Sequence, residues 1–446
     1  MTSPVQTDLR LHLFGGPELR VRGAEAVGLT PTQELLLTLV WGQEEAGITR
    51  SRTIWLLWEE EDSARTRQRL RQVLHEVRRR LGVHPVAAAG EDVLLPATDL
   101  LASDLGEFRE ALGRGALRTA QALEERGFAT HLRRPPGQEY DDWLTAKRAG
   151  LRRELREAAA RAWDAHQPRG EWLAARSAAE VLHALDPTGE PALRRLIEAR
   201  AMTGAMEAAE AAFASYVELL RPGEEPDTRT LDLLERVRGL SRERRPSGRK
   251  SSDPPPLVGR GEELKTARRM LERVRSGSFE LLLLTGEAGV GKTRILEELR
   301  KEGHLRGFRC LHAHPVELER RIPLNPLVDA LGHPDVADQL RSLEDPWKAV
   351  IAAILPQLPP GMERPVVPPI AESSLSRRLC DAFSILFTQM AEDEPTLLFL
   401  DDLQWADATT VTVLQFVQRR WRGGPLGIVA TLRPDLVKPK DVVAKY

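Results

Sequence analysis

A glycine-rich loop followed by lysine and threonine is the most specific functional motif in the sequence. Residues 281–293 read LLLLTGEAGVGKT, an apolar run that leads directly into the loop. Gly286 and Gly291 permit backbone conformations that a β-carbon disfavours, so successive N–H groups can turn toward phosphate oxygens. Lys292 supplies a positive charge for the β- and γ-phosphates, and Thr293 supplies a hydroxyl for Mg²⁺. The pattern predicts a P-loop that binds ATP or ADP with Mg²⁺, formed by Gly286, Glu287, Ala288, Gly289, Val290, Gly291, Lys292 and Thr293. An ordinary glycine turn between a strand and a helix is the alternative.

A second apolar run supplies the acidic partner that such a loop needs. Residues 396–407 read TLLFLDDLQWAD, the pattern of a buried strand that ends in two aspartates. At the carboxyl end of a parallel strand, Asp401 can orient Mg²⁺ through water, and Asp402 can polarise an attacking water as the catalytic residue. A third strand, Leu426 to Leu432, ends at Arg433, where a guanidinium can sense the γ-phosphate. The alternatives are an acidic cap of the next helix and a surface arginine before a proline turn.

These residues resemble the nucleotide-binding domain of the signal-transduction ATPases with numerous domains, which are relatives of the AAA+ proteins. The match runs from Leu257 to about Asp435 and includes LVGRGEEL (257–264) and ELERRIPLNPLVDAL (317–331). The resemblance implies that Val258 and Arg260 lie near the base and that Arg433 is the first sensor. Members of that family continue into a helical lid and a winged-helix segment, and this chain stops at Tyr446. We therefore expect residues 257–446 to form an α/β P-loop domain with a parallel sheet that lacks the lid, which argues against efficient hydrolysis.

An arginine-rich amphipathic helix is the second candidate functional feature of the sequence. Between about Ser63 and Leu81, apolar residues recur at helical spacing and predict one buried face, made by Leu70, Val73, Leu74, Val77 and Leu81. Seven arginines and one glutamate give this helix a net charge of +6. Arginine can read guanine edges and glutamine can read adenine edges, while the remaining arginines suit phosphates. The predicted DNA contacts are Arg65, Arg67, Gln68, Arg69, Arg71, Gln72, His75, Arg78 and Arg79.

Several short elements are predicted around this helix. Residues 9–21 alternate apolar and polar side chains about a Gly-Gly-Pro turn and predict a small sheet. Two short helices follow, near Pro31–Trp41 and Thr49–Trp58, and residues 86–95 predict a hairpin around Gly90. On charge alone, DNA binding and a solvated basic face are equal alternatives, because residues 1–98 are close to charge balance.

The same segment is similar to the winged helix-turn-helix that opens the Streptomyces antibiotic regulatory proteins. The residues that carry the resemblance are LRLHLFGGPELRVRG (9–23) and ITRSRTIWLLWEEEDSARTRQRLRQVLHEVRRRLG (48–82). The resemblance implies that the basic helix enters the major groove and that the hairpin is a wing touching the minor groove. One local departure is the opening of the first helix, PTQELL, which has Gln33 and Glu34 where such proteins often carry basic residues.

Residues 104–240 have the pattern of paired helices throughout. EWLAARSAAEVLHALDP (171–187), EPALRRLIEARAMTG (190–204) and AMEAAEAAFASYVELL (205–220) carry small residues where helices cross, with breaks between them. This pattern predicts an all-α, tetratricopeptide-like domain. EYDDWLTAKRAGLRRE (139–154) resembles the entry of the bacterial transcriptional activation domain. The expected role is protein contact: dimerisation, holding the DNA-binding domain in register, or contact with RNA polymerase. A plain helical spacer is the alternative, and the basic, proline-rich residues 241–256 predict a flexible linker.

Composition narrows the class of protein. The 446 residues carry a net charge of −2, with 41% hydrophobic and 29% charged residues, a balance typical of globular proteins. No apolar stretch approaches the ~18 residues that a membrane helix requires, and no secretory signal is recognisable at the N-terminus. Cys310 and Cys380 have no paired spacing, so neither a disulfide framework nor a zinc site is indicated. We expect a cytoplasmic protein with no membrane partner.

The predicted order is a winged helix-turn-helix (1–98), an α-helical domain (104–240), a linker (241–256) and a P-loop domain (257–446). Together with these resemblances, this order predicts a transcription regulator that binds double-stranded promoter DNA and is modulated by ATP or ADP. The resemblance to the antibiotic regulatory proteins implies that it binds DNA as a homodimer. A second hypothesis is a P-loop NTPase whose turnover is the function, with the first half as an adaptor. A third is a relative whose nucleotide domain is vestigial, and whether ATP is hydrolysed stays open.

Overall fold

The computed structural model describes residues 9–21, 26–89, 92–132, 137–243, 260–333, 336–363 and 372–437. The chain divides into two compact units. The first comprises residues 1–165 and 173–192, and the second comprises residues 166–172 and 193–446. The Val258 position and the linker residues 244–256 lie outside the described residues.

Two small sheets belong to the first unit. Its strands are β1 (Leu9–His12), β2 (Glu18–Val21), β3 (Ala26–Val27), β4 (Ile48–Thr49), β5 (Val86–Ala89), β6 (Val93–Pro96) and β7 (Ala102–Ser103). One sheet has the order β3-β2-β1-β7 and the other the order β4-β6-β5. Leu11 lies opposite Leu19 in the antiparallel β1–β2 pair, and both side chains are fully buried. The small sheet predicted around the Gly-Gly-Pro turn is confirmed.

The helices before residue 186 are α1 (Pro31–Gly42), α2 (Arg50–Trp58), α3 (Ala64–Leu81), α4 (Asp104–Gly113), α5 (Leu117–Glu125), α6 (Gln138–His166) and α7 (Trp172–Leu185). Helix α3 begins where Ser63 and Thr66 cap each other: the Ser63 hydroxyl accepts from the Thr66 N–H, and the Thr66 hydroxyl accepts from the Ser63 N–H. It ends at Gly82, whose φ of 68° is the left-handed conformation common just after a helix. The amphipathic helix predicted from the sequence is therefore present with almost the same bounds.

The buried face of α3 packs on α1 and α2. Leu70 and Val77 are each 1% exposed, and Leu70 joins a core with Leu36 of α1 and Ile54 of α2. Val73, Leu74 and Leu81, also predicted to be buried, retain partial exposure because they lie at the margin of the stripe. The hairpin β5–β6 pairs Ala88 with Leu94, and its turn residues Gly90 and Glu91 lie outside the described residues.

Helix α6 is anchored to the helices that precede it. The fully buried Tyr140 donates its hydroxyl proton to the Leu35 carbonyl of α1 at 2.9 Å. Glu44 accepts from Lys147 of α6 at 2.7 Å and from Arg109 of α4 at 2.8 Å. Burial acts to raise the pKa of Glu44, but the hydrogen bonds from Arg109 and Lys147 outweigh it, and the pKa is lowered. These contacts tie α4, α6 and the end of α1 into one body.

The remaining helices are α8 (Glu190–Met202), α9 (Met206–Leu219), α10 (Thr228–Glu243), α11 (Gly261–Arg275), α12 (Lys292–Leu305), α13 (Asn325–Leu331), α14 (Ala337–Ser342), α15 (Trp347–Ile354), α16 (Glu372–Asp393) and α17 (Ala408–Arg420). The three helices predicted between residues 171 and 220 are observed as α7, α8 and α9. Helix α10 reaches Glu243, three residues into the predicted linker, because its buried Leu240 keeps the last turns packed.

A four-stranded sheet forms the centre of the second unit. Its strands are β8 (Phe279–Thr285), β9 (Arg309–Ala313), β10 (Thr396–Leu400) and β11 (Leu426–Leu432). The order is β8-β11-β10-β9, and every pair is parallel, as the sequence predicted. The carboxyl ends of the four strands therefore meet at one edge of the sheet.

Helices cover both faces of this sheet. Alternate side chains of β10 point in opposite directions: Leu397 and Phe399 pack on α11 and α12, while Leu398 and Leu400 pack with α13, α16 and α17. Strands β10 and β11 are buried throughout, as expected for a parallel sheet covered on two sides. No helix within the described residues has the length and apolar character needed to cross a membrane.

Candidate functional site

The outer face of α3 is exposed along its length. Every side chain predicted to contact DNA is exposed: Arg65, Arg67, Gln68, Arg69, Arg71, Gln72, His75, Arg78 and Arg79. Since the Leu70 and Val77 side chains occupy the opposite face, the cationic side chains point to solvent. The structure therefore gathers all nine predicted residues on one accessible surface.

Two of these arginines are already compensated by carboxylates. Arg67 donates to Asp62 through two nitrogens, at 2.6 and 2.8 Å, and Ser51 donates to the same carboxylate at 2.7 Å. The Arg67 hydrogen bonds, followed by that of Ser51, lower the pKa of Asp62 to about 2, so Asp62 stays ionised at neutral pH. Arg69 lies 3.4 Å from Glu60, with its guanidinium 4.4 Å from the centre of the Trp58 ring. Neither of these two ion pairs was predicted from the sequence.

The rest of the outer face is mostly unpaired. Gln72 donates to Glu76 at 3.3 Å, a long and weak hydrogen bond. No hydrogen bond or ion pair among the described residues involves the side chains of Arg65, Arg71, His75, Arg78 or Arg79. Four arginines are thus available to an external anion.

A groove of about 540 Å³ separates α3 from the β5–β6 hairpin. Arg71, His75 and Arg78 line it on the helix side, and His84 lies where the chain leaves the helix for the hairpin. Arg50, the first residue of α2, also lines the groove. Arg50 and His84 were missed by sequence reasoning, and their positions at the ends of neighbouring elements were the available signal.

At the sheet edge of the second unit, β8 ends at Thr285 and α12 begins at Lys292. The intervening loop turns through left-handed backbone at Gly289 (φ 80°) and Gly291 (φ 94°), which glycine adopts without strain. The N–H groups of residues 287–292 donate to no acceptor among the described residues. An unpaired row of N–H groups ahead of a helix start is suited to phosphate oxygens. Lys292 lies over this loop, its ammonium donating to the carbonyls of Gly286 and Glu287 at 2.9 and 2.8 Å.

Strand β10 delivers a buried carboxylate beside the loop. Asp401 is 5% exposed, and its Oδ1 accepts from Thr431 of β11 at 2.6 Å and from Thr293 of α12 at 3.2 Å. Two hard oxygen donors this close together, beside unpaired N–H groups, fit Mg²⁺ carried by a polyphosphate. The structure therefore brings together Lys292, Thr293 and Asp401, three residues predicted from separate segments.

The family model described as the AAA ATPase domain matches residues 256–429. The chain contains an AAA ATPase domain. An uncharacterized protein of Rhizobium meliloti (strain 1021) is 25% identical over 196 residues, which are 40% of this chain and 19% of that protein. The chain thus matches about a fifth of the length of that relative. The structure of Mycobacterium tuberculosis EmbR, solved with a low-affinity phosphopeptide, aligns with a TM-score of 0.34 at 20% identity, covering 60% of this chain and 71% of EmbR.

Arg260 of the AAA domain contacts the loop directly. Its guanidinium donates to the Val290 carbonyl at 3.0 Å and to Glu263 at 2.8 Å. Val258, predicted to lie near the base, falls outside the described residues. Arg260 therefore fixes the start of α11 against the phosphate loop.

Asp402 and Arg433 follow two neighbouring strands of the second unit, β10 and β11. Asp402 has a φ of 63°, and its Oδ1 accepts from Gln404 at 2.8 Å. Gln404 in turn accepts from the Arg433 N–H at 3.0 Å, which links the ends of β10 and β11. The Arg433 guanidinium lies 3.4 Å from Asp435 and is 31% exposed. Because Leu432 is the register partner of Thr285, Arg433 follows β11 beside the loop.

His314 joins this edge of the AAA domain without having been predicted. It follows β9, and its Nδ1 lies 3.6 Å from Oδ2 of Asp401. Donor atoms of His314, Asp401 and Asp402 all lie within 4.8 Å of one another. The signal that was available is position: His314 is the first residue after β9, and Asp401 is the first residue after the neighbouring strand β10.

Proposed function

We propose that the protein is a transcription regulator that binds double-stranded promoter DNA through α3 and binds ATP or ADP with Mg²⁺ in its AAA domain. The observation that carries the DNA assignment is the exposed row of unpaired Arg65, Arg71, Arg78 and Arg79 on one face of a helix. A duplex attracts such a row because neutralising phosphates releases condensed counterions. The outer face of α3 is exposed along its length.

In this proposal α3 lies in the major groove and the β5–β6 hairpin contacts the adjacent minor groove, as in winged helix-turn-helix proteins. Arg65, Arg71, Arg78 and Arg79 hold phosphates or guanine edges. Gln68 and Gln72 read base edges, Gln72 by releasing its weak bond to Glu76. The tetratricopeptide-like helices serve dimerisation on DNA and contact RNA polymerase.

In the nucleotide site, the N–H groups of residues 287–292 and the Lys292 ammonium hold the phosphates. Thr293 and Asp401 hold Mg²⁺, which neutralises phosphate charge when bound. Arg260 lies near the base, and Arg433 senses the γ-phosphate. Asp402 is the candidate to orient an attacking water.

A salt titration of duplex binding tests the DNA assignment. We expect log Kd to rise with log salt, with a slope of about 0.9 per neutralised phosphate. Arg71→Ala should weaken binding to every sequence, whereas Gln72→Ala should alter preference by ~1–3 kcal/mol at one base pair. If both variants lose the same affinity for random DNA as for selected DNA, this helix does not read bases.

Isothermal titration with ATP and ADP tests the nucleotide assignment. Lys292→Ala should abolish binding, because the ammonium balances the phosphate charge. Lys301→Ala, a charge change later in the same helix, is the matched control and should bind normally. Unchanged affinity in Lys292→Ala would remove the P-loop assignment.

A second candidate is an NTPase whose turnover is the main activity and whose first half is a protein-binding adaptor. The presence of Lys292, Thr293, Asp401 and Asp402 at one sheet edge favours it. Turnover that collapses in Asp402→Asn, in a protein that binds no DNA, would support this candidate. Specific DNA binding at nucleotide turnover near background would reject it.

A further inference from the structure

His314 lies beside Asp401, one of the residues proposed to hold the cation of the nucleotide site. Asp401 presents its two oxygens to different partners: Oδ1 accepts from Thr431 and Thr293, and Oδ2 faces Nδ1 of His314 at 3.6 Å. Among the described residues, no hydrogen bond uses Oδ2 of Asp401. The second oxygen therefore remains available to a ligand.

The separations suit ligands of a single ion. Two donor atoms held about 2.1 Å from one cation lie about 3 to 4 Å apart in octahedral geometry. The separation of 3.2 Å between the Thr293 hydroxyl and Oδ1 of Asp401 and that of 3.6 Å between Nδ1 of His314 and Oδ2 of Asp401 each fall in this range. His314 has half of its side chain exposed (52%), so its ring can turn to direct Nδ1 at the cation.

The chemistry of the donor set distinguishes this site from a purely oxygen-lined one. Mg²⁺ prefers oxygen and retains water, so an imidazole adds little to its binding. First-row transition-metal ions accept imidazole nitrogen readily. A nitrogen beside the Asp401 carboxylate thus favours a first-row transition-metal ion.

We propose that His314 is a ligand of the divalent cation in the nucleotide site and makes that site selective for first-row transition-metal ions over Mg²⁺. This inference rests on the nucleotide binding proposed above. His314, Asp401 and Thr293 would hold the cation, and the nucleotide phosphates would complete its coordination. The site then takes a transition-metal–nucleotide complex more tightly than the magnesium complex.

Mn²⁺ is a suitable probe, because its paramagnetism reports nitrogen ligands. The full chain is titrated with Mn²⁺ in the presence of ADP, and electron spin echo modulation is recorded for a nitrogen-14 coupling. We expect the coupling in the wild type and its loss in His314→Ala, with Mn²⁺ affinity falling by about tenfold or more. The affinity for Mg²⁺·ADP should change less than about twofold in the same variant.

His312→Ala is the matched control, since His312 is an exposed histidine two residues earlier on β9. It should retain the nitrogen coupling and the wild-type Mn²⁺ affinity. Two results would overturn the proposed role of His314 and leave the nucleotide site standing. One is equal Mn²⁺ affinity in wild type and His314→Ala, and the other is the absence of nitrogen coupling in a wild type that binds Mn²⁺·ADP. A wild type that binds neither Mg²⁺·ADP nor Mn²⁺·ADP overturns the nucleotide site itself.

Discussion

Substituting the carboxylate that holds Arg67 should strengthen DNA binding. Asp62 neutralises Arg67 through two short hydrogen bonds, at 2.6 and 2.8 Å, and its pKa of about 2 keeps it charged in any binding assay near neutral pH. In Asp62→Asn the amide can still accept from Ser51, but the charge is lost. Arg67 is then free to neutralise a phosphate.

The size of the effect follows from counterion release. Four unpaired arginines on α3 would give a slope of about 3.6 in log Kd against log salt if each neutralises one phosphate. Freeing Arg67 should steepen the slope by about 0.9, which corresponds to at most about eightfold tighter binding at 0.1 M salt. Fluorescence anisotropy of a labelled duplex at four or more salt concentrations measures both quantities.

Two variants make the interpretation specific. Asp99→Asn removes the same charge from an exposed position after the hairpin, so it reports the general effect of net charge. Adding Arg67→Ala to Asp62→Asn should cancel the gain, because the freed guanidinium is no longer present. If Asp62→Asn and Asp99→Asn behave alike, Arg67 does not face phosphate and this account of the helix surface is wrong.

Three further predictions concern the second unit. Arg268 is 4% exposed and lies 2.7 Å from Glu302, which is 1% exposed. Replacing Arg268 by alanine should therefore lower the free energy of unfolding, measured in urea, by about 3–5 kcal/mol. Replacing the pair by Arg268→Met with Glu302→Leu should cost less, and a cost under about 1 kcal/mol for Arg268→Ala would contradict a buried ion pair. Burial raises the pKa of Glu198 in the folded protein above its value in the unfolded chain. The contribution of Glu198 to stability is therefore present in acid and is lost as pH rises through the folded pKa. Glu198→Gln should therefore raise the melting temperature at pH 7 relative to wild type and less so at pH 4, and an equal shift at both pH values would reject the assignment. Gly291→Ala, at φ 94° with open space around it, should weaken ATP binding by strain of about 1–2 kcal/mol, while Gly261→Ala at the start of α11 should leave it unchanged.

The sequence predicted most of the elements because their signals are local. The apolar spacing of α3 predicted that helix without reference to any distant residue. The parallel strands were recognisable as continuous apolar runs, since burial on both faces requires side chains of that kind. The loop and the two aspartates could be assigned to one site because parallel strands bring their carboxyl ends together.

What could not be predicted depends on contacts between residues far apart in the chain or on their exact geometry. The pairing of Arg67 with Asp62 depends on how the chain enters α3, which charge counts do not reveal. His314 carries no motif of its own, and its proximity to Asp401 follows from the register between β9 and β10. The lining of the groove by Arg50 and His84 likewise required the arrangement of α2, α3 and the hairpin.

The central claim is that the unpaired arginines of α3 hold a duplex. The most direct test compares the salt dependence of duplex binding by wild type with that of a variant carrying alanine at Arg65, Arg71, Arg78 and Arg79. We predict that the variant loses about 3.6 from the slope of log Kd against log salt and binds DNA at most weakly. A slope unchanged from wild type would show that the duplex is bound elsewhere or that the helix has no role in binding it.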